Sequence, residues 1–246
     1  MRVSGVLLAA GASTRFGSPK MLMPVGEDRK PLLQKVCETW LEAGVGELIV
    51  VLGKDADAIR ERLGDFSYAA AADAAADSRK SGGRKPAVKG ARSAPLRGQR
   101  PLTAGFRPHI PRFVQNPRWE AGMFSSVKAG LAATAANSTH IALSPADLPF
   151  LSKESIRTVL SAVASLDAGG SSLVVPTHAG RRGHPLLIPA ALRSRLLSWP
   201  DSARLNQLFD EPDVTVHPLE GFDETILRDV DTPNDLFASL PSSFSF

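Results

Sequence analysis

The chain has 246 residues, 43% hydrophobic and 22% charged, with a net charge of +4 and a single cysteine. That length can bury one complete α/β core, the lone cysteine excludes an internal disulfide, and no run of about 18 apolar residues offers a membrane span. The positive balance is local: Arg79 to Arg112 holds ten Lys/Arg and no acid, which leaves the remainder at −6 and argues against a nucleic-acid partner for the folded part.

In chain order, Val3–Leu8 is an aliphatic and β-branched run with the pattern of a buried strand. It runs into Ala9-Ala10-Gly11-Ala12-Ser13-Thr14-Arg15-Phe16-Gly17-Ser18-Pro19-Lys20, a small-residue loop carrying two cations. Small residues let backbone N–H groups approach an anion, and ligands of open α/β sheets collect at the carboxyl ends of strands. Leu8, Ala9, Ala10, Gly11, Arg15 and Lys20 are therefore candidates for gripping a nucleotide and its phosphates, although neither G-x-x-x-x-G-K-[ST] nor G-x-G-x-x-G is present. An ordinary turn with solvated cations is the competing reading. The residues from Arg2 to Ala12 also have the outline of a secretion signal, set aside because the apolar segment is short and the cationic loop follows at once.

Further strands are expected at Glu47–Leu52, Phe113–Gln115, His140–Leu143, Leu173–Pro176, Pro185–Ile188 and Val214–Pro218. Helices are expected at Pro31–Ala43, Ala56–Leu63, Phe124–Thr134, Lys153–Ser165, Pro189–Ser198, Ala203–Phe209 and Pro233–Leu240. Asp55, Ser152 and Thr232 stand where N-caps belong. The alternation implies a single domain over residues 1–246: a Rossmann-like three-layer α/β/α arrangement around a mainly parallel sheet. It is interrupted at about 69–112 by a basic segment of Ala, Ser, Gly, Pro, Arg and Lys that lacks the means to form a core. That segment reads as a flexible surface insertion, with an RNA- or partner-binding arm as the alternative. Only Phe106 offers an aromatic surface among its charges.

Ser144-Pro145-Ala146-Asp147-Leu148-Pro149 follows the apolar strand Ile141–Leu143, so Asp147 emerges at the same sheet edge as the cationic loop. Flanking prolines restrict the backbone that carries it. One or two carboxylates beside phosphate oxygens are what Mg²⁺ takes as ligands. Asn116-Pro117-Arg118-Trp119-Glu120-Ala121-Gly122-Met123-Phe124-Ser125-Ser126 leads from a strand into a helix, where serines can donate to an anion or a ribose, or simply cap the helix. The five histidines and one cysteine are too scattered for a zinc site, and no G-x-S-x-G nucleophile occurs.

The stretch from Leu8 to Lys20 resembles the LAAGxSxRxGxxK signature of the MobA-like nucleotidyltransferases, which move NMP from an NTP onto a phosphate-bearing acceptor. The resemblance extends to Pro145, Asp147 and Pro149 of a P-x-D-x-P segment, to Asn116, Gly122, Ser125 and Ser126, and to Asp229, Asp231, Thr232, Pro233 and Asp235 of D-x-D-T-P-x-D. It also covers the Gly180–Pro185 turn, where it implies that Arg182 and His184 face the acceptor. It implies Lys20, Arg15 and Asp147 as catalytic residues, Asp147 and Asp231 as Mg²⁺ ligands, and Asn116, Gly122, Ser125 and Ser126 along the nucleotide cleft. Ala10 stands where guanylyl-transferring members carry glycine, which tilts the nucleotide toward CTP and the acceptor toward molybdopterin in a cytoplasmic enzyme of molybdenum cofactor synthesis. Another nucleotide or acceptor, or a non-catalytic cofactor carrier docking an apo-molybdoenzyme, are the alternatives.

Overall fold

A computed structural model describes residues 2–12, 16–64, 110–166, 172–232 and 234–235. Its first strand, β1 (Val3–Ala9), is flanked on both sides by parallel partners because both of its faces are apolar or small. A two-stranded hairpin, β2 (Pro24–Val25) with β3 (Lys30–Pro31), leads into α1 (Leu32–Ala43), which ends at Gly44 in the left-handed region at φ 93°. Then follow β4 (Glu47–Leu52), α2 (Ala56–Leu63), β5 (Arg112–Gln115), α3 (Met123–Ala133), β6 (His140–Pro145) and α4 (Lys153–Leu166). The chain continues through β7 (Ser172–His178), β8 (Arg181–Arg182), β9 (Leu186–Pro189), α5 (Arg193–Ser198) and β10 (Thr215–Leu219).

The main sheet has the order β10-β7-β9-β6-β1-β4-β5, with β8 paired to β7. All pairs along that order are parallel except those of β9, which runs antiparallel to both β6 and β7. The three-layer, mainly parallel arrangement read from the sequence is the one observed. One face is covered by α1 and α4 over Leu7, Trp40, Val50 and Ile156, the other by α3 and α5 over Val6, Ile49, Leu131 and Leu196. Trp40 is buried because Gly5 makes room for its ring: a Cβ at Gly5 would stand 3.0 Å from Trp40 Cε3 and 2.9 Å from Leu48 Cδ1.

Several local expectations need correction. The helix expected over Pro189–Ser198 is split into a 3-10 turn, Ala190–Leu192, and α5, because Pro189 belongs to β9. The segment expected as a helix over Ala203–Phe209 is a 3-10 turn at Leu205–Asp210. Ser152 caps α4 through Ser155 N–H at 3.0 Å, whereas Asp55 occupies the N-cap of α2 without accepting a side-chain hydrogen bond. The body of the basic insertion, residues 65–109, lies outside the described residues, as does most of the expected helix at Pro233–Leu240. No helix among the described residues is long and apolar enough to cross a membrane.

Candidate functional site

Strand register places four chain exits side by side. Leu8 pairs with Pro145, Ala9 with Leu52 and Leu52 with Gln115, so the segments beginning at Ala10, Gly53, Asn116 and Ala146 leave the same carboxyl edge. The chain moves outward from β1 to β4 and β5, then returns to β6 on the other side of β1. That reversal is the switch point at which open α/β sheets bind ligands. A cleft of about 510 Å³ opens there, floored by Leu8, Ala9, Ala10 and Gly11. Among the described residues, a Cβ at Gly11 would meet nothing within 4 Å.

One end of the cleft is charged. Lys20 begins a 3-10 turn and is 9% exposed; its Nζ donates to Asp147 Oδ2 at 2.8 Å, lies 4.0 Å from Asp231 Oδ1, and sits 5.6 Å from the centre of the Phe16 ring. Asp147 is fixed by backbone on both sides: Ala146 N–H donates to Leu8 O at 3.0 Å, and Val230 N–H donates to Asp147 O at 2.9 Å. The second bond draws the 229–231 segment to the cleft. There Asp235 Oδ2 accepts from the N–H groups of Asp231 and Thr232 and from the Thr232 hydroxyl, bonds that hold its own pKa below the carboxylate range. Burial pushes the Asp229 pKa up, and the charges of Asp231 and Asp147 add to that rise. Three carboxylates thus crowd one ammonium.

Asp147 Oδ1 is buried without a hydrogen-bond partner among the described residues. An orphaned carboxylate oxygen beside two further carboxylates suits a hard cation, which satisfies such lone pairs. No trio of His, Cys, Asp or Glu among the described residues forms a closed metal cage. The donor set therefore fits an ion that takes one or two carboxylates and draws its other ligands from phosphate and water. Arg15 lies outside the described residues.

The opposite wall is built by the 116–126 segment. Asn116 is 3% exposed, and its Nδ2 donates to Ser125 Oγ at 2.8 Å and Ser126 Oγ at 3.0 Å while Oδ1 accepts from Arg118 N–H at 2.9 Å. Ser125 Oγ turns back to the carbonyls of Arg118 and Gly122. Asn116 and Ser125 therefore shape the turn from within, whereas Ser126 lines the cleft. Gly122 starts α3 at φ 108°, a conformation that penalises any side chain. Asn116→Ala is expected to cost about 1–3 kcal/mol, because two hydroxyls and an N–H lose a buried partner. Thermal unfolding should show a fall of several degrees, and an unchanged Tm would remove the hub role.

Arg182 and His184 part company. The Arg182 guanidinium stacks on the Phe209 ring at 4.1 Å and does not line the cleft. His184 is enclosed: burial pulls its pKa below the ordinary histidine range, against a Leu143 backbone hydrogen bond and the Asp147 charge, which pull it up. Its Nδ1 is buried and unpartnered among the described residues. The His184–Pro185 bond is cis. Cys37 is fully buried, and burial pushes its thiol up, away from any nucleophilic role.

Sequence reasoning passed over Gly53, Trp119 and Met123. A Cβ on Gly53 would stand 2.4 Å from Ala10 O, so the glycine admits the loop's backbone. Trp119 and Met123 line the cleft, and Met123 is 72% exposed. The available signal was position, since each lies within or next to a segment leaving the carboxyl edge.

A switch-point cleft with an ammonium, clustered carboxylates and a small-residue floor is where an open α/β sheet receives a ligand. The MobA-like NTP transferase domain model matches residues 5–96 and 93–216, and the chain belongs to that family. Nicotine blue oxidoreductase from Paenarthrobacter nicotinovorans is 28% identical over 242 residues, 97% of this chain and 96% of that protein. The molybdenum cofactor cytidylyltransferase of Escherichia coli is 26% identical over 129 residues, 51% of this chain and 60% of the enzyme. A nucleotidyl transferase structure from Methanothermobacter shares the fold, with a TM-score of 0.65 at 20% identity over 96% of this chain and 95% of the other.

Proposed function

We propose that the chain transfers CMP from CTP to the phosphate of a molybdopterin-type acceptor, with Mg²⁺ as cofactor and pyrophosphate as the second product. The observation that carries this reading is the Lys20–Asp147 pair at 2.8 Å, with Asp231 beside it, at the charged end of the cleft. The name of the Escherichia coli relative supports the nucleotide and the acceptor.

An acceptor phosphate oxygen attacks the α-phosphorus of CTP, a P–O bond forms, and the bond to the β-phosphate oxygen breaks. The nucleophile needs no activation by a side chain, so the protein's task is positioning and charge. Lys20 binds the triphosphate, joined by Arg15 from the same loop. Asp147 and Asp231 would hold the cation, which when bound supplies a Lewis acid that neutralises charge developing on the phosphates. Ser126 lines the nucleotide side, and Gly11 leaves room for the ligand. Arg182, stacked on the Phe209 ring, and His184 lie outside the lining of this cleft and are given no part in the transfer.

Incubation with each of the four NTPs, Mg²⁺ and molybdopterin, with pyrophosphate as readout, tests the reading. Release with CTP above the other three is expected. Binding of CTP without pyrophosphate would replace it with a carrier that hands the cofactor to an apo-enzyme. A second reading, a redox reaction in the same cleft, is favoured by the full-length similarity to an oxidoreductase. Oxidation of NADH or NADPH by an added quinone as electron acceptor, without pyrophosphate release, would select it.

A further inference from the structure

The segment that brings Asp231 to the cleft is a short strap fastened at both ends. Ile226 and Val230 are fully buried in the core layer that α1 and α4 cover. Val230 N–H donates to Asp147 O at 2.9 Å, and the Ile226 carbonyl, at the end of the 3-10 turn Glu224–Ile226, accepts from His184 N–H at 3.0 Å. Between them Asp229 N–H closes on Leu227 O at 3.2 Å, a tight turn with little slack. The Arg228 guanidinium lies over the Phe150 ring at 4.6 Å, which ties the strap a second time to the loop that carries Asp147. The place of Ile226 therefore bears on that of Asp231, whose Oδ1 stands 4.0 Å from Lys20 Nζ.

Ile226 is seated on a residue that has no side chain. A Cβ at Gly183 would stand 2.7 Å from Ile226 Cγ1, 2.7 Å from Cδ1 and 2.8 Å from the Ile226 carbonyl oxygen. Gly183 is buried and, unlike Gly180 of the same turn at φ 75°, has no positive φ that calls for glycine. What it supplies is space. Its own N–H donates to Pro176 O at 2.8 Å, so the backbone beneath Ile226 is pinned to β7. A new rotamer would carry Cγ1 and Cδ1 away, but the carbonyl oxygen moves only with the strap.

We propose that the strap from Ile226 to Asp231 sets where Asp231 stands relative to Asp147 and Lys20, with Gly183 and Phe150 as the positioning residues that seat it. This rests on the proposed use of Asp147 and Asp231 to hold a divalent cation. Neither Gly183 nor Phe150 lines the cleft, so both act through the strap and not by touching a ligand. Groups behind a metal-holding side chain fix its orientation, and with it the affinity for the ion.

The test titrates the whole chain with Mn²⁺ alone, read from the electron paramagnetic resonance of the free ion, with pyrophosphate release from CTP measured in parallel. Gly183→Ala is expected to weaken Mn²⁺ binding roughly tenfold, the scale of losing a group that orients a metal ligand. Asp231→Ala weakens it too, and adding Gly183→Ala to Asp231→Ala should change it no further, because the seat acts through that carboxylate. Phe150→Leu keeps apolar bulk and the Arg228 charge while removing the ring, and should weaken Mn²⁺ about two- to fivefold with the same dependence on Asp231. It decides the matter if Gly183→Ala does not fold. Unchanged Mn²⁺ affinity in folded Gly183→Ala or in Phe150→Leu overturns the proposal, as does a loss of equal size with and without Asp231, which general loosening produces. A wild type that releases pyrophosphate yet binds no Mn²⁺ overturns it as well. Losses that depend on Asp231, with no pyrophosphate release from the wild type, leave the seat standing and sink the transfer reading. A wild type that neither binds Mn²⁺ nor releases pyrophosphate sinks both.

Discussion

Asp147→Ala and Lys20→Ala are each expected to cost roughly a hundredfold or more in transfer rate, the size of effect seen when one preorganised contact to a developing charge is removed. The two side chains meet at 2.8 Å, with 11% of the Lys20 side chain and 25% of the Asp147 side chain exposed, so each is already oriented before a ligand arrives. Removing Asp147 takes away the buried orphan Oδ1 and leaves Lys20 with Asp231 as its acidic neighbour at 4.0 Å. Removing Lys20 leaves Asp147, Asp229 and Asp231 without their shared ammonium, and the one neighbouring charge that offsets the raised Asp229 pKa is lost. Asp147→Asn separates charge from shape: it keeps the volume and should lose most of the rate. Steady-state pyrophosphate release checks all three, with circular dichroism to confirm folding. Wild-type rates in a folded Asp147→Ala protein would remove the carboxylate from the mechanism.

The legible parts of this molecule were those in which one residue type has one physical use. Val3–Leu8, Leu48–Leu52 and Ile141–Leu143 are aliphatic or small on both faces, and each lies in one of the three adjacent parallel strands at the centre of the sheet. Lys20 and Asp147 were placed by the strands they follow, and strand register then carries them to one cleft although 127 residues separate them. What escaped was contact between segments. The direction of β9 was not readable, because an apolar run is the same in either direction. Asn116 and Ser125 carry the donors and acceptors of a ligand site, yet spend them on each other. Arg182 is a cation at a suggestive turn whose partner turns out to be the Phe209 ring, a pairing that depends on the packing of a distant 3-10 turn.

Gly53→Ala should lower the transfer rate by up to about a hundredfold in protein that still folds, because a shift of about 1 Å in a positioning loop can cost that much. The added Cβ would stand 2.4 Å from Ala10 O, 2.9 Å from its Cα and 3.0 Å from its carbonyl carbon. All three are backbone atoms, so no rotamer change relieves the contact and the peptide itself must move. Ala10 lies just beyond β1, where it floors the cleft ahead of the turn that delivers Lys20. Displacement there changes where the phosphates sit relative to Asp147, which Val230 and Leu8 hold in place from elsewhere. The overpacking itself costs about 1–3 kcal/mol. Gly11→Ala is the matched comparison, since its Cβ would meet no atom of the described residues within 4 Å. Its effect should fall on ligand affinity, whereas Gly53→Ala should fall on the rate at saturating ligand. A Gly53→Ala enzyme with a wild-type rate would show that the loop tolerates the shift and that its position is set by the ligand.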